Sequence, residues 1–359
     1  MLHLDTLWSV IIAVLWVGFF VLEGFDFGVG ALHTIIGRTD AERATVLSTI
    51  GPWWDGNEVW LVVAGAGTFA AFPGWYATMF SALYLALLLV LAALMARGVS
   101  LEFARKHENE RWLKTWTWCT TLGSLSIPLL LGIGLGDLLN GLPIDSSHNF
   151  TGNFFDLLTP YGLWTGVTLL GLSLLHGATF IKLRTTGELR ERARVAARPL
   201  GWVAIALVVG FVIWTRSVAG GPTIPDPVEV LAVIAVVFAA LLAATDHDGW
   251  AFSASAVAIA ACVGSIFIDL YPRVMVSSTD AAYNLTVSNS ASGHYALVVM
   301  TVVTAIFFPL VLVYQGWSFH VFRARVKGPP ETPDAQSAGT PPRPSGPSAP
   351  ASRPAAPSA

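Results

Sequence analysis

Residues 7–36 read LWSVIIAVLWVGFFVLEGFDFGVGALHTII, and this stretch decides the fold class. Apart from Glu23 and Asp26 it carries no Asp, Glu, Lys or Arg, and Gly24 and Gly28 form a GxxxG pair that lets another helix approach closely. A helix needs about 20 mainly apolar residues to cross a bilayer. The stretch is longer than that, so the sequence predicts a membrane-spanning helix that carries two acids.

The composition of the whole chain agrees with a membrane protein. Of its 359 residues, 54% are hydrophobic and 12% are charged, whereas a typical soluble domain has about 25% charged residues. The formal net charge of -3 leaves no basic excess to meet phosphates, which argues against nucleic acid as a partner. Cys119 and Cys262 lie in separate apolar runs without a CxxC pair, so we expect small buried side chains rather than metal ligands.

Further apolar runs of about 20 residues recur along the chain and predict an all-α polytopic membrane protein. The second and third runs are separated only by Phe72, Pro73 and Gly74, so we expect a helical hairpin there. The sequence predicts about nine transmembrane helices, at residues 7–36, 52–72, 75–97, 115–140, 159–183, 199–217, 228–245, 250–270 and 294–321.

The distribution of basic residues predicts the orientation of these helices, because cytoplasmic loops carry an excess of Lys and Arg. With nine crossings, every Lys and Arg except Arg216 and Arg273 falls on one side. The N-terminus is therefore predicted outside and the C-terminus in the cytoplasm. The residues on the cytoplasmic side are Arg38, Arg43, Arg97, Arg105, Lys106, Arg111, Lys114, Lys182, Arg184, Arg190, Arg192, Arg194, Arg198, Arg323, Arg325, Lys327, Arg343 and Arg353.

Residues 328–359 differ in composition from the rest of the chain. They are rich in Pro, Ala, Ser and Gly, and such a segment cannot bury enough apolar surface to offset its ordering entropy. We therefore expect a transmembrane domain at residues 1–327 and a disordered cytoplasmic tail at residues 328–359. The longer polar loops at 141–158 and 271–293 are predicted to lie outside.

Four carboxylates in the predicted helices are the first functional candidates, because charged side chains are costly in a bilayer. Glu23 and Asp26 are three positions apart and share a face in the cytoplasmic half of the first helix. Asp55 and Glu58 repeat this spacing in the second helix, beside Pro52 in its first turn, where the helix dipole favours carboxylates. We expect these four acids to relay protons inward from the cytoplasm.

Structural roles for the same four residues stay open at this point. Asp55 and Glu58 can be interfacial cap residues at the start of a helix. Glu23 and Asp26 can pair with cationic side chains of a partner subunit, purely for assembly. In either case the acids would stabilise the protein without carrying protons.

Aromatic and imidazole side chains give weaker signals. Trp53, Trp54 and Trp60 flank the second pair of acids and can be an aromatic belt at the membrane surface. His33 and His176 lie well within apolar helices, but not at the spacing of paired haem or metal ligands. We therefore expect a hydrogen-bonded structural role for His176 rather than haem ligation, and no metal site.

Several stretches, in order along the chain, resemble signature sequences of the cytochrome bd oxidase subunit II family. Each match alone is weak, whereas together they are specific and span most of residues 7–321. The stretches are residues 24–30 (GFDFGVG), 54–61 (WDGNEVWL), 138–143 (LLNGLP), 151–155 (TGNFF), 177–179 (GAT) and 184–189 (RTTGEL).

This resemblance implies a subunit of nine helices, built as two four-helix bundles plus one helix, in the bacterial cytoplasmic (inner) membrane. It implies a similar partner, subunit I, that carries the quinol site and haems b558, b595 and d, with small single-helix subunits as further partners. The complex of that family oxidises quinol, reduces dioxygen to water and takes protons from the cytoplasm. Subunit II of the family needs no haem ligand of its own.

The resemblance also implies roles for single residues. Asp55 matches a carboxylate of the proton route towards the oxygen-reducing haem, and Glu23 and Asp26 match an acidic pair in the first helix. Trp54 matches a tryptophan that shapes a quinone-lined or subunit-facing surface, to which we also assign Trp60. Apolar helices of this kind can in addition conduct dioxygen, which partitions into lipid.

The chain departs from the family pattern at two candidate positions. Glu58 stands where relatives can have a neutral amide, and His176 replaces a residue that is not generally histidine. The second departure argues against haem ligation by His176. The leading hypothesis is therefore a non-haem subunit of a quinol oxidase that contributes a proton relay, stability of the complex and access for dioxygen.

Two other hypotheses compete with this one. Buried acids and interrupted helices also occur in proton-coupled secondary transporters, which would move a substrate without a haem-bearing partner. A purely structural assembly subunit would use the same acids only to pair across an interface.

Overall fold

The computed structural model describes residues 3–107, 109–220 and 224–328, and this part of the chain is almost entirely helical. It also contains one antiparallel sheet of two strands, β1 (Arg273–Met275) and β2 (Leu285–Thr286). The expectation of an all-α protein is confirmed. The helices are α1 (Leu4–Ile36), α2 (Asp40–Ser48), α3 (Trp54–Ala71), α4 (Pro73–Ala82), α5 (Tyr84–Phe103), α6 (Glu110–Asn140), α7 (Pro160–Arg184), α8 (Gly187–Ala219), α9 (Pro227–Ala243), α10 (Asp248–Leu270), α11 (Val287–Ser290) and α12 (His294–Val321).

Seven helices of the described chain are long and apolar enough to cross a membrane, namely α1, α5, α6, α7, α8, α10 and α12. Helix α9 is apolar but has only 17 residues. Helix α3 has 18 residues, and its first turns carry the polar side chains of Asp55, Asn57 and Glu58. Each of the nine predicted runs overlaps one of these nine helices, while the count of nine crossings stays a prediction.

The third predicted helix, residues 75–97, is wrong in its bounds. The chain forms two helices here, α4 and α5, which meet at Leu83, and α5 continues to Phe103. No Gly or Pro marks the break, where the Leu83 side chain packs close to Gly134 of α6.

The expected tight turn is present, since α3 ends at Ala71 and α4 begins at Pro73. Helix α5 returns to the start of α3, where Arg97 meets Glu58. Residues of α3, α4 and α5 line an apolar groove of about 640 Å³.

Helix α1 is surrounded by other helices and packs against α3, α6, α7 and α10. Its approach to α7 is close, since a Cβ atom added at Gly28 would lie 2.0 Å from the backbone oxygen of Ser173 and 2.7 Å from Cα of Gly177. The prediction that the GxxxG pair admits a neighbouring helix is confirmed at Gly28. This central position encloses both acids of α1 in protein.

Helix α12 is held mainly near its ends, and all but two of its residues are exposed or half-buried. Towards its start, the indole nitrogen of Trp8 donates a hydrogen bond to Thr301 Oγ1 at 3.0 Å. Beyond its last residue, the amide of Val326 donates to the carbonyl oxygen of Arg184 at 2.7 Å. The predicted tail lies outside the described residues from position 329 onwards.

The two long loops that were predicted outside pack against each other. The amide of Leu142 donates to the carbonyl of Val276 at 3.0 Å, and the amide of Ser278 donates back to Leu142 at 2.9 Å. No motif in the sequence predicts this pairing. It joins the end of α6 to the segment between α10 and α11.

Candidate functional site

Glu23 and Asp26 lie in α1 and are both fully buried. Their spacing of about one helical turn directs both carboxylates to one side of the helix, where hydrogen-bond partners from α3 and α5 meet them. Buried charges without partners would be strongly unfavourable. The site therefore depends on the residues that α3 and α5 contribute.

Arg97 of α5 supplies the positive charge and is itself fully buried. Its Nη1 donates to Glu23 Oε1 at 2.6 Å and to Glu58 Oε1 at 2.7 Å, which bridges α1 and α3. The guanidinium also lies 5.1 Å from the ring centroid of Phe27, within the range of a cation–π contact. The alternative in which Glu23 takes its cation from a partner subunit is wrong, because the cation belongs to this chain.

The hydropathy pattern does not reveal Arg97, and the distribution of basic residues places it on the cytoplasmic side in a loop. That assignment is wrong, because α5 continues past Arg97 to Phe103 and the guanidinium lies inside the protein. The available signal was an arginine that directly continues a long apolar run. Such an arginine is costly unless a partner compensates it, which makes the acids of the first two predicted helices candidate partners without showing which of them it meets.

Asn57 of α3 is a second residue that the pattern did not reveal, and it is fully buried. Its Nδ2 donates to Asp26 Oδ2 at 2.7 Å and to the carbonyl oxygen of Leu22 at 3.1 Å. Its Oδ1 accepts a hydrogen bond from Nε2 of Gln315 in α12 at 3.0 Å. One amide therefore connects α1, α3 and α12.

Asp55 and Glu58 lead from the buried cluster to the surface of the chain. The side chain of Glu58 is 24% exposed while it pairs with Arg97, so the cap alternative is wrong for Glu58. Asp55 occupies the first turn of α3, is exposed, and makes no hydrogen bond or ion pair within the described residues. Pro52 was expected in this first turn but precedes α3, which begins at Trp54.

The cluster retains unused hydrogen-bonding capacity. Within the described protein, Glu23 Oε2, Asp26 Oδ1, and both Nε and Nη2 of Arg97 are buried without a protein partner. Buried polar atoms of native proteins are almost always hydrogen-bonded, either to protein or to ordered water. Water is small enough to bridge such atoms and has the required donors and acceptors.

The tryptophans of this region pack against the chain's own helices. Trp53 is 3% exposed and stacks on Phe319 of α12, with 5.3 Å between ring centroids. Trp60 is 8% exposed and fills the space beside Gly18 of α1. The aromatic-belt alternative is wrong for Trp53 and Trp60, since a belt would face lipid. Trp54 is half-buried, and the assignment of Trp54 and Trp60 to a quinone site or subunit interface stays a prediction.

His176 has hydrogen bonds at both ring nitrogens. Nδ1 lies 2.7 Å from Ser255 Oγ, Nε2 lies 3.2 Å from the carbonyl oxygen of Val21, and the ring stacks on Phe252. The expected hydrogen-bonded histidine is confirmed, and an iron ligand here would have to break one of these bonds. In the part of the chain that the structure describes, no group of three or more His, Cys, Asp and Glu side chains is placed to hold a metal ion.

Two further ion clusters lie at opposite ends of α10. At its start, Asp248 accepts from Lys182 at 3.1 Å, Arg190 at 2.9 Å and Arg325 at 2.8 Å. Neither cluster stands out in the sequence, because each one combines side chains from different helices. At the other end, the partly enclosed guanidinium of Arg216 meets the acids Asp226, Glu229 and Asp269.

A smaller ion pair fastens α2 to α8. Glu42 Oε2 accepts from Arg192 Nη1 at 2.8 Å and from the backbone amides of Arg38 and Thr39. The hydrogen bond from the Arg192 guanidinium lowers the pKa of Glu42 to about 2, with a further contribution from the two amides. The Glu42 carboxylate is therefore ionised at neutral pH, where it binds Arg192 of α8.

The fold and the site define an integral membrane protein with a carboxylate–arginine cluster enclosed between its helices. The family described as cytochrome bd terminal oxidase subunit II matches residues 4–322. The chain is 44% identical over 334 residues to cytochrome bd ubiquinol oxidase subunit 2 of Bacillus subtilis (strain 168), which covers 91% of this chain and 98% of that protein. It is 33% identical over 357 residues to cytochrome bd-I ubiquinol oxidase subunit 2 of Escherichia coli (strain K12), with 89% and 94% covered.

The chain therefore belongs to the cytochrome bd terminal oxidase subunit II family, as its signature stretches predicted. A chain in the structure of bd oxidase from Geobacillus thermodenitrificans has the same fold, with a TM-score of 0.69 at 17% identity, covering 89% of this chain and 99% of that one. The protein is thus a subunit of a membrane-bound oxidoreductase. Family membership gives the transporter hypothesis no support, and we do not retain it.

Proposed function

We propose that this chain supplies a proton route from the cytoplasm in a complex that oxidises quinol and reduces dioxygen to water. The observation that carries the proposal is the buried cluster in which one nitrogen of Arg97 binds both Glu23 and Glu58. Charged groups held inside a membrane protein commonly mark ion or proton pathways. In this cluster they connect a surface acid to the interior.

The proposed route begins at the exposed carboxylate of Asp55 and continues to Glu58, one helical turn further along α3. Glu58 and Glu23 meet at the same guanidinium nitrogen, and Asp26 follows on α1. Protons move between carboxylates only within hydrogen-bond reach or through a bridging water. The buried atoms that lack protein partners are suitable positions for such waters.

The ratio of charges in the cluster favours a relay over a fixed ion pair. Three carboxylates, those of Glu23, Asp26 and Glu58, surround the single guanidinium of Arg97. The cluster can accept or release a proton while Arg97 still pairs with one acid. A site of matched charges would instead lose its ion pair each time a proton arrived.

We assign the haems b558, b595 and d and the quinol site to the partner, subunit I. The relatives from B. subtilis and E. coli are named ubiquinol oxidases, which supports a quinol substrate for the complex. His176 fits haem ligation poorly, because both of its nitrogens are already bonded. Bound haem would supply electron transfer and dioxygen reduction, while this chain's acids hold and move protons.

The remaining parts of the proposal concern the setting of the chain. We place it in the bacterial cytoplasmic membrane, with nine crossings arranged as two four-helix bundles plus one helix, the N-terminus outside and the C-terminus in the cytoplasm. Small single-helix subunits, lipid and quinone are the further partners we propose. The apolar faces of the helices suit passage of dioxygen, which dissolves in lipid.

Replacement of Asp55 by Asn tests the entry of the route. We expect quinol oxidase turnover per haem to fall by about ten-fold or more, since a general acid–base group is removed, while haem content stays normal. Glu102→Gln is the matched control, because Glu102 is another exposed acid on the same predicted side. Unchanged turnover in Asp55→Asn would remove Asp55 from the route.

Replacement of Asp26 by Asn separates a relay from a purely structural role. A relay predicts normal yield of the complex with reduced turnover per assembled haem. An assembly role predicts reduced yield with normal turnover per haem. The two quantities are measured on the same preparation, by haem spectroscopy and oxygen consumption.

A further inference from the structure

Gln315 is a polar residue in the last two turns of α12, directly after the apolar run of residues 305–314, and its role is not explained by packing. It is half-buried, and its Nε2 donates to Asn57 Oδ1 at 3.0 Å. A polar side chain within a membrane helix is costly unless it is hydrogen-bonded. This hydrogen bond links a loosely packed helix to the inside of the site.

The hydrogen bond from Gln315 holds the oxygen end of the Asn57 amide and favours the same orientation as the two acceptors at its NH2 end. A side-chain amide offers one acceptor oxygen and one NH2 group with two donor hydrogens. The NH2 group of Asn57 uses both hydrogens, towards Leu22 and Asp26, and its oxygen accepts from Gln315. A reversed amide would place its oxygen against two other acceptors and its NH2 group against a donor.

We propose that Gln315 is a positioning residue for the proton route, which acts by fixing Asn57 so that its NH2 group keeps donating to Asp26. The inference rests on the proposed role of Asp26 as a proton carrier. The charged groups around Asp26 come from α1, α3 and α5, as Glu23, Glu58 and Arg97. Helix α12 adds the neutral amide that orients this arrangement.

Variants of the purified oxidase complex test the proposal through turnover per haem. Gln315→Met keeps the length of the side chain and removes its donor, and Gln315→Leu removes the donor with a different shape. Both are apolar and suit a membrane helix. We expect a fall of about two- to ten-fold, the range that follows from loss of one hydrogen bond, and a larger solvent deuterium isotope effect. Tyr314→Phe is the control, since it removes a hydroxyl from the adjacent exposed position.

A double-mutant cycle with Asn57→Ala distinguishes positioning from packing. If Gln315 acts through Asn57, Gln315→Met has no further effect on turnover or on the isotope effect once Asn57 is Ala. If the two losses multiply, Gln315 acts by another means and the proposal is overturned. Wild-type turnover in both Gln315 variants would overturn it as well.

The Asp26→Asn variant keeps failure of this inference distinct from failure of the proposed function. Normal turnover in Asp26→Asn would overturn the relay, and the positioning role of Gln315 with it. Reduced turnover in Asp26→Asn together with normal turnover in both Gln315 variants would overturn only the role of Gln315.

Discussion

Arg97 joins Glu23 and Glu58, which lie 74 and 39 residues away from it in the sequence. A buried ion pair adds little net stability, because loss of hydration offsets the attraction, yet removal of one partner leaves an uncompensated charge. Stability alone therefore does not account for a third acid, Asp26, beside the same cation. The surplus of carboxylate is better explained by proton chemistry, with Arg97 keeping the acids close together.

Replacement of Arg97 by Gln tests this balance of charges. The variant leaves Glu23 and Glu58 without their ion-pair partner and Asp26 without a nearby cation. A broken buried pair costs about 3–5 kcal/mol, so we expect a strong loss of assembled complex. The double variant Arg97→Gln with Glu23→Gln removes the fully buried ion pair as a unit and should recover part of the yield, because Glu58 is partly solvated and Asp26 keeps its hydrogen bond from Asn57. Haem-normalised yield and thermal unfolding measure both effects. An equally low yield in the double variant would contradict the ion-pair explanation.

The acids of the site were predictable and their partners were not, for a physical reason. Glu23 and Asp26 stand out because a bilayer penalises charge within an apolar run. Asn57 carries no charge, so the cost of charge in a bilayer does not mark it. Arg97 lies at the end of its apolar run, and an arginine at such a position is also typical of a cytoplasmic loop. The packing of the helices in three dimensions decides which of these residues meets an acid. A local sequence pattern does not contain this information.

At the scale of the helices, the apolar runs predicted where helices lie but not where they end. Bilayer thickness sets a minimum length for the apolar part, whereas polar residues can continue a helix beyond the membrane. Helix α8 accordingly begins at Gly187, well before the predicted start at residue 199. Helix α2 was missed because it is polar, although its capping box of Thr39 and Glu42 is readable in the sequence.

Helix α2 gives a prediction for pH. The pKa of Glu42 is lowered from 4.5 to about 2 by Arg192 and two backbone amides. Because the folded-state pKa is below the unfolded value, the stabilisation of docked α2 is present above about pH 4.5 and is lost as pH falls towards 2. Hydrogen-exchange protection of α2 amides should decrease over this range. Glu42→Gln should show weaker protection at neutral pH and little further change, and an unaltered pH dependence in that variant would contradict the assignment.

At the scale of the whole described protein, three clusters of charged side chains lie at different positions among the helices. The Asp248 and Arg216 clusters lie at opposite ends of α10, and the Arg97 cluster lies between helices α1, α3 and α5. In the predicted orientation the Asp248 cluster faces the cytoplasm and the Arg216 cluster faces outside. In the same predicted orientation, the paired loops at 141–158 and 271–293 lie on the outside together with the Arg216 cluster.

The number of crossings is tested by single cysteines on exposed residues of three segments. Ala41 lies on α2, Ser146 in the loop after α6, and Thr279 in the loop after α10, and all three are exposed. With nine crossings, a membrane-impermeant maleimide should label Ser146→Cys and Thr279→Cys in intact cells, and Ala41→Cys only after the membrane is opened. The parent chain, with its half-buried Cys119 and buried Cys262, is the control.

If there are fewer than nine crossings, the pattern of labelling also identifies which helix does not cross the membrane. Helices α3 and α9 are the two short elements among the nine. If α3 did not cross, Ala41 and Ser146 would lie on the same side, because an even number of crossings would separate them. If α9 did not cross, Ser146 and Thr279 would lie on opposite sides. A reversed pattern at all three positions would keep nine crossings but place the Asp55 entry outside, which would contradict proton uptake from the cytoplasm through this chain.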